Sequence, residues 1–187
     1  MRLVLIKHAR PIVNPSDPPE LWPLSEQGRT DATRLAEALA GSGIGRIFHS
    51  RETKASETAR ILADRLRVPV APRDRLHEHD RSNVPHMRSA DFISYIELFF
   101  RKPGELVLGK ETADQCLKRF SDAVDSILAE SGEDTPGVVT HGTVLALYLS
   151  RLGAGKPFDI WRRMQLPSFA VVDPAAGKVL SLIDRIG

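Results

Sequence analysis

Cysteine is almost absent: the 187 residues contain one, Cys116. A single thiol excludes an intramolecular disulfide and fits a reducing compartment. Cys116 falls within a helical pattern and reads as a small buried packing residue rather than a catalytic thiol. Long apolar runs are missing as well, which excludes a bilayer-spanning helix and makes the membrane an unexpected partner. The opening run "RLVLI" is too short for a signal-peptide core, and no small-residue cleavage site follows it. The expected location is therefore cytoplasmic. A surplus of either charge is also lacking, because 26 bases face 24 acids for a net charge of +2. That balance argues against a dedicated nucleic-acid surface, which is usually strongly basic on one face. It leaves room for one local basic pocket.

What is present suits one folded domain over residues 1–187 with a sizeable core. Residues 2–8 form a short run of Leu, Val and Ile that reads as a buried strand. Residues 11–23, "PIVNPSDPPELWP", hold five prolines. Proline locks φ and lacks an N–H, so this stretch is expected as an ordered loop or lid. "LSEQGRTDATRLAEALAGSG" reads as a helix with Ser25 as N-cap and Gly41 and Gly43 at its end. "RIFHS" is a second strand. "RETKASETARILADRLR" is a second helix, with Ala55, Thr58, Ala59, Leu62 and Leu66 on one face. "VPVAPR" is extended, and "LHEHDRSNVPHM" lacks any period and reads as loop. Helices are expected at "SADFISYIELFFRK" and "TADQCLKRFSDAVDSILAESG". "GVVTHG" is a strand that feeds a helix at "TVLALYLSRLG". "FAVVDPAAGKVLSLIDR" reads as a terminal hairpin turning at "DPAAGK". Strands alternating with helices imply an α/β fold with a largely parallel sheet. "GSGIG" follows a helix and precedes a strand, the wrong context for a dinucleotide loop.

Two histidines end strands in matching fashion, His8 after "LVLIK" and His141 after "GVVT". Ligands of open α/β sheets bind beyond the carboxyl ends of the strands, near helix N-termini. A third strand ends at His49 and Ser50, and the following segment carries Arg51 and Lys54. Cations at a helix start oppose its dipole, a mild cost that a bound anion would offset. In "LHEHD", Glu78 lies between His77 and His79 and close to Asp80. A carboxyl group here suits general acid–base work. A metal site is the alternative for this cluster, but its spacing matches no zinc pattern and no cysteine contributes.

In this order the fragments resemble the histidine phosphatase superfamily, which includes the cofactor-dependent phosphoglycerate mutases. "LIKHA" stands where that family has Arg-His-Gly, which implies His8 as nucleophile. "LSEQGRTDATRLAEAL" and "HSRETKASETA" match two further segments, with Lys54 in the place of a phosphate-binding arginine. "LHEHD" matches the acid motif and points to Glu78. "GKET" resembles the family's Gly-Glu-Ser, and "VVTHG" points to His141. The resemblance implies a three-layer α/β sandwich, with a loop and helical cap from about residues 78–110. It also implies a metal-independent phosphomonoesterase that uses no cofactor and takes a small phosphorylated substrate. Lys7, Lys54 and His141 would neutralise the phosphate oxygens, and Asn14 would add a hydrogen bond. His8 would form a phosphohistidine, and Glu78 would protonate the leaving oxygen and then activate water. His79 and Asp80 are the other candidates for that proton.

Both expected arginines are lysines, Lys7 and Lys54. Lysine keeps the charge but offers a flexible point in place of a planar fork. Arg10 and Arg51 are candidates for the missing guanidinium. The stretch after Glu78 lacks the glycine-rich continuation of the mutases, and the chain is short for that branch, which favours a phosphatase. Two rivals stay open: a phosphate-binding regulator with little turnover, and a mutase moving phosphate within one metabolite. Tyr95, Phe99 and Phe100 are expected in packing rather than at the substrate, while the Pro-rich loop with Trp22 is a candidate cover. The edge of the terminal hairpin offers a place for two chains to pair, a homodimer that nothing in the sequence demands.

Overall fold

A computed structural model describes residues 2–85 and 87–186. His86, within the stretch expected as loop, lies outside the described residues. Six strands, β1 (Leu3–Lys7), β2 (Ile44–His49), β3 (Val70–Pro72), β4 (Thr135–Thr140), β5 (Ser168–Asp173) and β6 (Lys178–Ile183), form one sheet in the order β3-β2-β4-β1-β5-β6. The first four are parallel neighbours, and β5 and β6 add an antiparallel hairpin at one edge. The expected α/β sandwich and the terminal hairpin are both present.

Alternation along β1 builds both faces at once, since successive strand residues point to opposite sides. Val4 and Ile6 pack against α1 (Glu26–Leu39) and α2 (Thr53–Leu66), through Leu35, Leu39, Ala55, Ala59 and Leu62. Leu3 and Leu5 belong to the larger core on the other face. That core takes in α3 (Ser89–Arg101), α4 (Ala113–Ser131), α5 (Gly142–Arg151) and α6 (Pro157–Arg163). Cys116 is fully buried there, as expected. Phe99 and Phe100 are core residues too, whereas Tyr95 stands on the surface. Among the described residues no helix is long and apolar enough to cross a membrane.

Three details depart from the sequence reading. The Pro-rich segment contains a 3-10 turn at Pro19–Leu21, where proline at the start of the turn has no N–H to lose. The helix α6 was not expected. It is only seven residues long, and Pro157 starts it. The helix α2 begins at Thr53, with Glu52 as its N-cap residue, so Arg51 lies outside it.

The exit of β1 is clamped against the start of α1. Ser25 accepts the Gly28 N–H on its hydroxyl, as a helix cap should. Its own N–H and hydroxyl both donate to the Arg10 carbonyl. Gly28 is the point of closest approach, because a Cβ there would land on the Arg10 carbonyl oxygen. Gly28→Ala is therefore expected to cost about 2–3 kcal/mol, since backbone must move to admit the methyl group. Urea melts of the two proteins check this, and an unchanged midpoint would show that the clamp yields freely.

Candidate active site

Strand register brings the two histidines together. β1 and β4 are parallel neighbours with Lys7 opposite Thr140, so the next residue on each strand is a histidine. The His8 N–H donates to the Thr140 carbonyl at 3.0 Å, and the two imidazole centroids lie 5.2 Å apart, edge to face. Strand β2 ends on the same side, where the Ser50 N–H donates to the Val139 carbonyl. The three strands thus open at one carboxyl edge, and the chain crosses in opposite directions on either side of β1 and β4. This is the location that favours a ligand in an open α/β sheet.

A pocket of about 430 Å³ opens there, lined by Lys7, His8, Glu78, Arg81, Phe92, Ile93, Gly142, Trp161, Arg162 and Leu166. His8 is buried, and its Nδ1 lies 2.8 Å from the Ala9 carbonyl. A carbonyl can only accept, so Nδ1 carries the proton and Nε2 keeps a free lone pair. Burial holds the imidazole well below its usual pKa. His141, Lys54 and Lys7 add to the effect, and the Ala9 bond opposes it. His141 is fully buried. Burial brings it to about 3 against the attraction of Glu78, with Lys54, His77 and Arg81 helping. Both rings are therefore neutral at pH 7.

Of the three acid candidates in "LHEHD", only Glu78 lines the pocket. Its carboxylate accepts the His79 N–H at 2.9 Å on one oxygen and the Thr143 N–H at 3.1 Å on the other. Burial by itself pushes this carboxyl up. Arg81, His141 and the two N–H groups outweigh it and bring it to about 2. His79 is turned away and stacks on Phe99 with centroids 4.2 Å apart. Asp80 caps the backbone and hydroxyl of Ser82.

The loop that carries Glu78 is pinned by residues the sequence reading did not single out. Arg119 of α4 donates to the carbonyls of Arg75, His77 and Glu78, and pairs with Glu111. Glu111, the acid of "GKET", also accepts the Asp80 N–H at 3.1 Å. Gly109 sits at φ +78°, where a Cβ would collide with the Asp80 carbonyl. In the sequence "GKET" reads as a motif that gives Glu111 no role. Arg119 stands beside Lys118 on an amphipathic helix, and nothing in its spacing marks it.

The bases fall into two groups. Lys7 lines the pocket and donates to the Met164 carbonyl at 2.7 Å. Burial lowers its ammonium to about 8, while Glu78 holds it up. Lys54 is buried, pairs with Glu52 and donates to the Pro19 carbonyl at 2.7 Å. Its ammonium lies 6.0 Å from the Trp22 ring, so the Pro-rich loop is latched over Lys54. The other three candidates lie elsewhere. Asn14 is exposed and donates to Asp17 within its own loop, at 2.6 Å. Arg10 is exposed beside α1, and Arg51 is exposed and paired with Asp74. None of the three lines the pocket, and the guanidinium groups found there are those of Arg81 and Arg162. Arg81 sits 5.1 Å over the Phe92 ring, which fixes it at the rim. Among the described residues no three His, Cys, Asp or Glu side chains are grouped to hold a metal ion.

The profile of the histidine phosphatase superfamily, branch 1, matches residues 3–177. A probable phosphoglycerate mutase, GpmB, of Proteus mirabilis is 28% identical over 184 residues, covering 91% of this chain and 83% of its own. The alpha-ribazole phosphatase of Shigella flexneri superposes with a TM-score of 0.77 at 18% identity, over 100% of this chain and 98% of that one. A mycobacterial glucosyl-3-phosphoglycerate phosphatase, solved with inorganic phosphate, gives 0.75 at 22% identity, over 100% and 97%. The last two likenesses concern the fold.

Proposed function

The chain belongs to the histidine phosphatase superfamily, and on that footing we propose that it hydrolyses small phosphate monoesters through a phosphohistidine on His8. The observation that carries this reading is the tautomer of His8. The Ala9 carbonyl holds the proton on Nδ1, burial keeps the ring neutral, and Nε2 is left with its lone pair at a pocket shared with Lys7 and Glu78. A neutral imidazole with one nitrogen tied back is a nucleophile that needs no further activation.

In the first step Nε2 forms a bond to phosphorus and the ester P–O bond breaks. Lys7 and Arg81 hold the phosphoryl oxygens, with Lys54 and His141 behind His8. Charge placed before the reaction stabilises the transition state without reorganising. Glu78 is ionised at neutral pH, so the proton for the leaving oxygen enters with the singly protonated ester and passes through Glu78. In the second step the Glu78 carboxylate takes a proton from water, the water oxygen bonds to phosphorus, and His8 departs. The segment 78–110 acts as a cap, since it contributes Arg81, Phe92 and Ile93 to the pocket mouth. These groups, with Trp161, suit an alcohol with apolar surface. Lysine at positions 7 and 54 gives up the bidentate fork, and Arg81 restores one guanidinium from the rim. The single buried thiol fits a cytoplasmic setting.

A panel of phosphate esters without added metal tests the reading, with free phosphate and acid-labile phosphate on the protein measured together. Turnover with a trapped phosphohistidine is expected. Phosphate transfer exceeding hydrolysis would make the protein a mutase, as the name of the Proteus relative suggests. Tight binding without label or turnover would leave a binding module. The pH profile is a second check. A phosphate ester loses its second proton near about pH 6, and Lys7 loses its charge above about 8. Activity is expected to fall as pH rises through both. On the acid side it should persist to lower pH than an ordinary imidazole would allow, because burial lowers the pKa of His8. An optimum at pH 9 would overturn this assignment of protons.

A further inference from the structure

One carboxylate in this neighbourhood has no part in the chemistry above. Glu52, the residue just before α2, turns its side chain inward, and that side chain is 11% exposed. One oxygen pairs with the Lys54 ammonium. The other accepts the Glu78 N–H at 2.8 Å and lies 3.3 Å from Nε2 of His141. His141 is neutral, so this last approach is not an ion pair. Lys54 and His141 back the phosphoryl site without lining the pocket, and both face an anion that the chain itself supplies.

We propose that Glu52 is a specificity-determining residue. Its carboxylate offsets the charge of Lys54 behind the phosphoryl site, so that the pocket takes a singly charged phosphate group in preference to a doubly charged one. The inference rests on the phosphate-binding reading of the pocket. Charge counting carries it. Lys7, Lys54 and Arg81 supply three positive charges sheltered from solvent, Arg162 a fourth that is exposed and screened, and Glu52 and Glu78 supply two negative ones. A site of three cations alone would favour the dianion. With Glu78 in the pocket lining and Glu52 beside Lys54 and His141, each added charge on the ligand meets repulsion at short range and low dielectric. The groups facing Glu52 are Lys54 from α2, His77 and Glu78 from the loop after β3, and His141 from the end of β4. The neutral Pro19 carbonyl also accepts from Lys54, and the Trp22 ring lies 6.0 Å from its ammonium.

Inorganic phosphate is the probe, titrated calorimetrically into the wild type and Glu52→Gln at about pH 5 and about pH 8, where it carries mainly one and mainly two charges. Glutamine keeps an oxygen for the Glu78 N–H, and its NH₂ then faces the Lys54 ammonium, so the variant removes the charge together with the Lys54 hydrogen bond. Glu52→Gln is expected to bind phosphate about tenfold tighter at the higher pH and to change little at the lower one. Glu52→Ala, with folding verified by thermal melting, should tighten binding in the same direction. Glu26→Gln removes an exposed carboxylate on α1 and should change nothing, which separates a local effect from net charge. Equal or weaker binding by Glu52→Gln at pH 8 overturns the proposal, as does an equal gain in Glu26→Gln or no phosphate binding by any protein. If Glu52→Gln tightens while no variant hydrolyses an ester, the hydrolase reading falls and the role of Glu52 stands. If the wild type hydrolyses esters and Glu52→Gln binds no tighter, the reverse holds.

Discussion

His8→Ala is expected to release no phosphate from any ester that the wild type hydrolyses, a loss of about 10⁴-fold or more, and to carry no acid-labile phosphate. The size follows from the role. A nucleophile is replaced by a methyl group, and no neighbour can take its place. His141 is the neighbouring imidazole, but it is fully buried beside Glu52 and does not line the pocket. His49 is buried with its own Nδ1 on the Ser50 carbonyl, and it does not line the pocket. Folding should survive, because the substitution removes one side-chain hydrogen bond worth about 1 kcal/mol and opens space that water can reach. Phosphate-ester binding should also survive in part, since Lys7 and Arg81 remain. Residual turnover within tenfold of the wild type, with the variant folded, would remove His8 from the mechanism.

Glu78→Gln carries the second large effect, a fall of about 10²–10⁴-fold in turnover. An amide cannot relay the proton to the leaving oxygen or take one from water. If formation of the phosphohistidine is slowed less than its hydrolysis, the labelled protein accumulates, and quench-flow with acid-labile phosphate as readout resolves the two steps. The substitution also disturbs the site. Both carboxylate oxygens accept backbone N–H groups, from His79 and Thr143. An amide must point its NH₂ at one of these donors, leaving that N–H unsatisfied at a cost of about 1–3 kcal/mol. Glu78→Ala leaves both donors to water and is the comparison. A Glu78→Gln protein that keeps full turnover would transfer the proton role to another group. His79 and Asp80 are poorly placed for it, one stacked on Phe99 and the other tied to Ser82.

Much of the site was legible because strand ends are local features. "LIKH" and "VVTH" each end an apolar run in a histidine, and the α/β pattern implies that such ends meet. The pairing of Lys7 with Thr140, which sets His8 and His141 side by side, is a matter of register between strands more than 130 residues apart. Helices with strong apolar spacing were equally clear, as were the Ser25 cap and the terminal hairpin. The short helix α6 was not, because seven residues give too little period to separate from loop. With it went Trp161 and Arg162, which line the pocket.

The sequence alone determined the α/β class and the strand-end histidines and offered Glu78 as the leading acid candidate, because these follow from local pattern and order along the chain. Which bases surround the pocket was decided only by the tertiary structure. Asn14, Arg10 and Arg51 are close to His8 or Lys54 in sequence and lie outside the pocket, whereas Arg81 stands at its rim on a loop from another part of the chain. Glu52 makes the point most clearly. In the sequence it is one acid among bases at a helix start; in the fold its carboxylate is buried between Lys54 and His141. A charge acts through space over a few ångströms, and spacing along a chain does not report those distances for groups carried by different strands and loops.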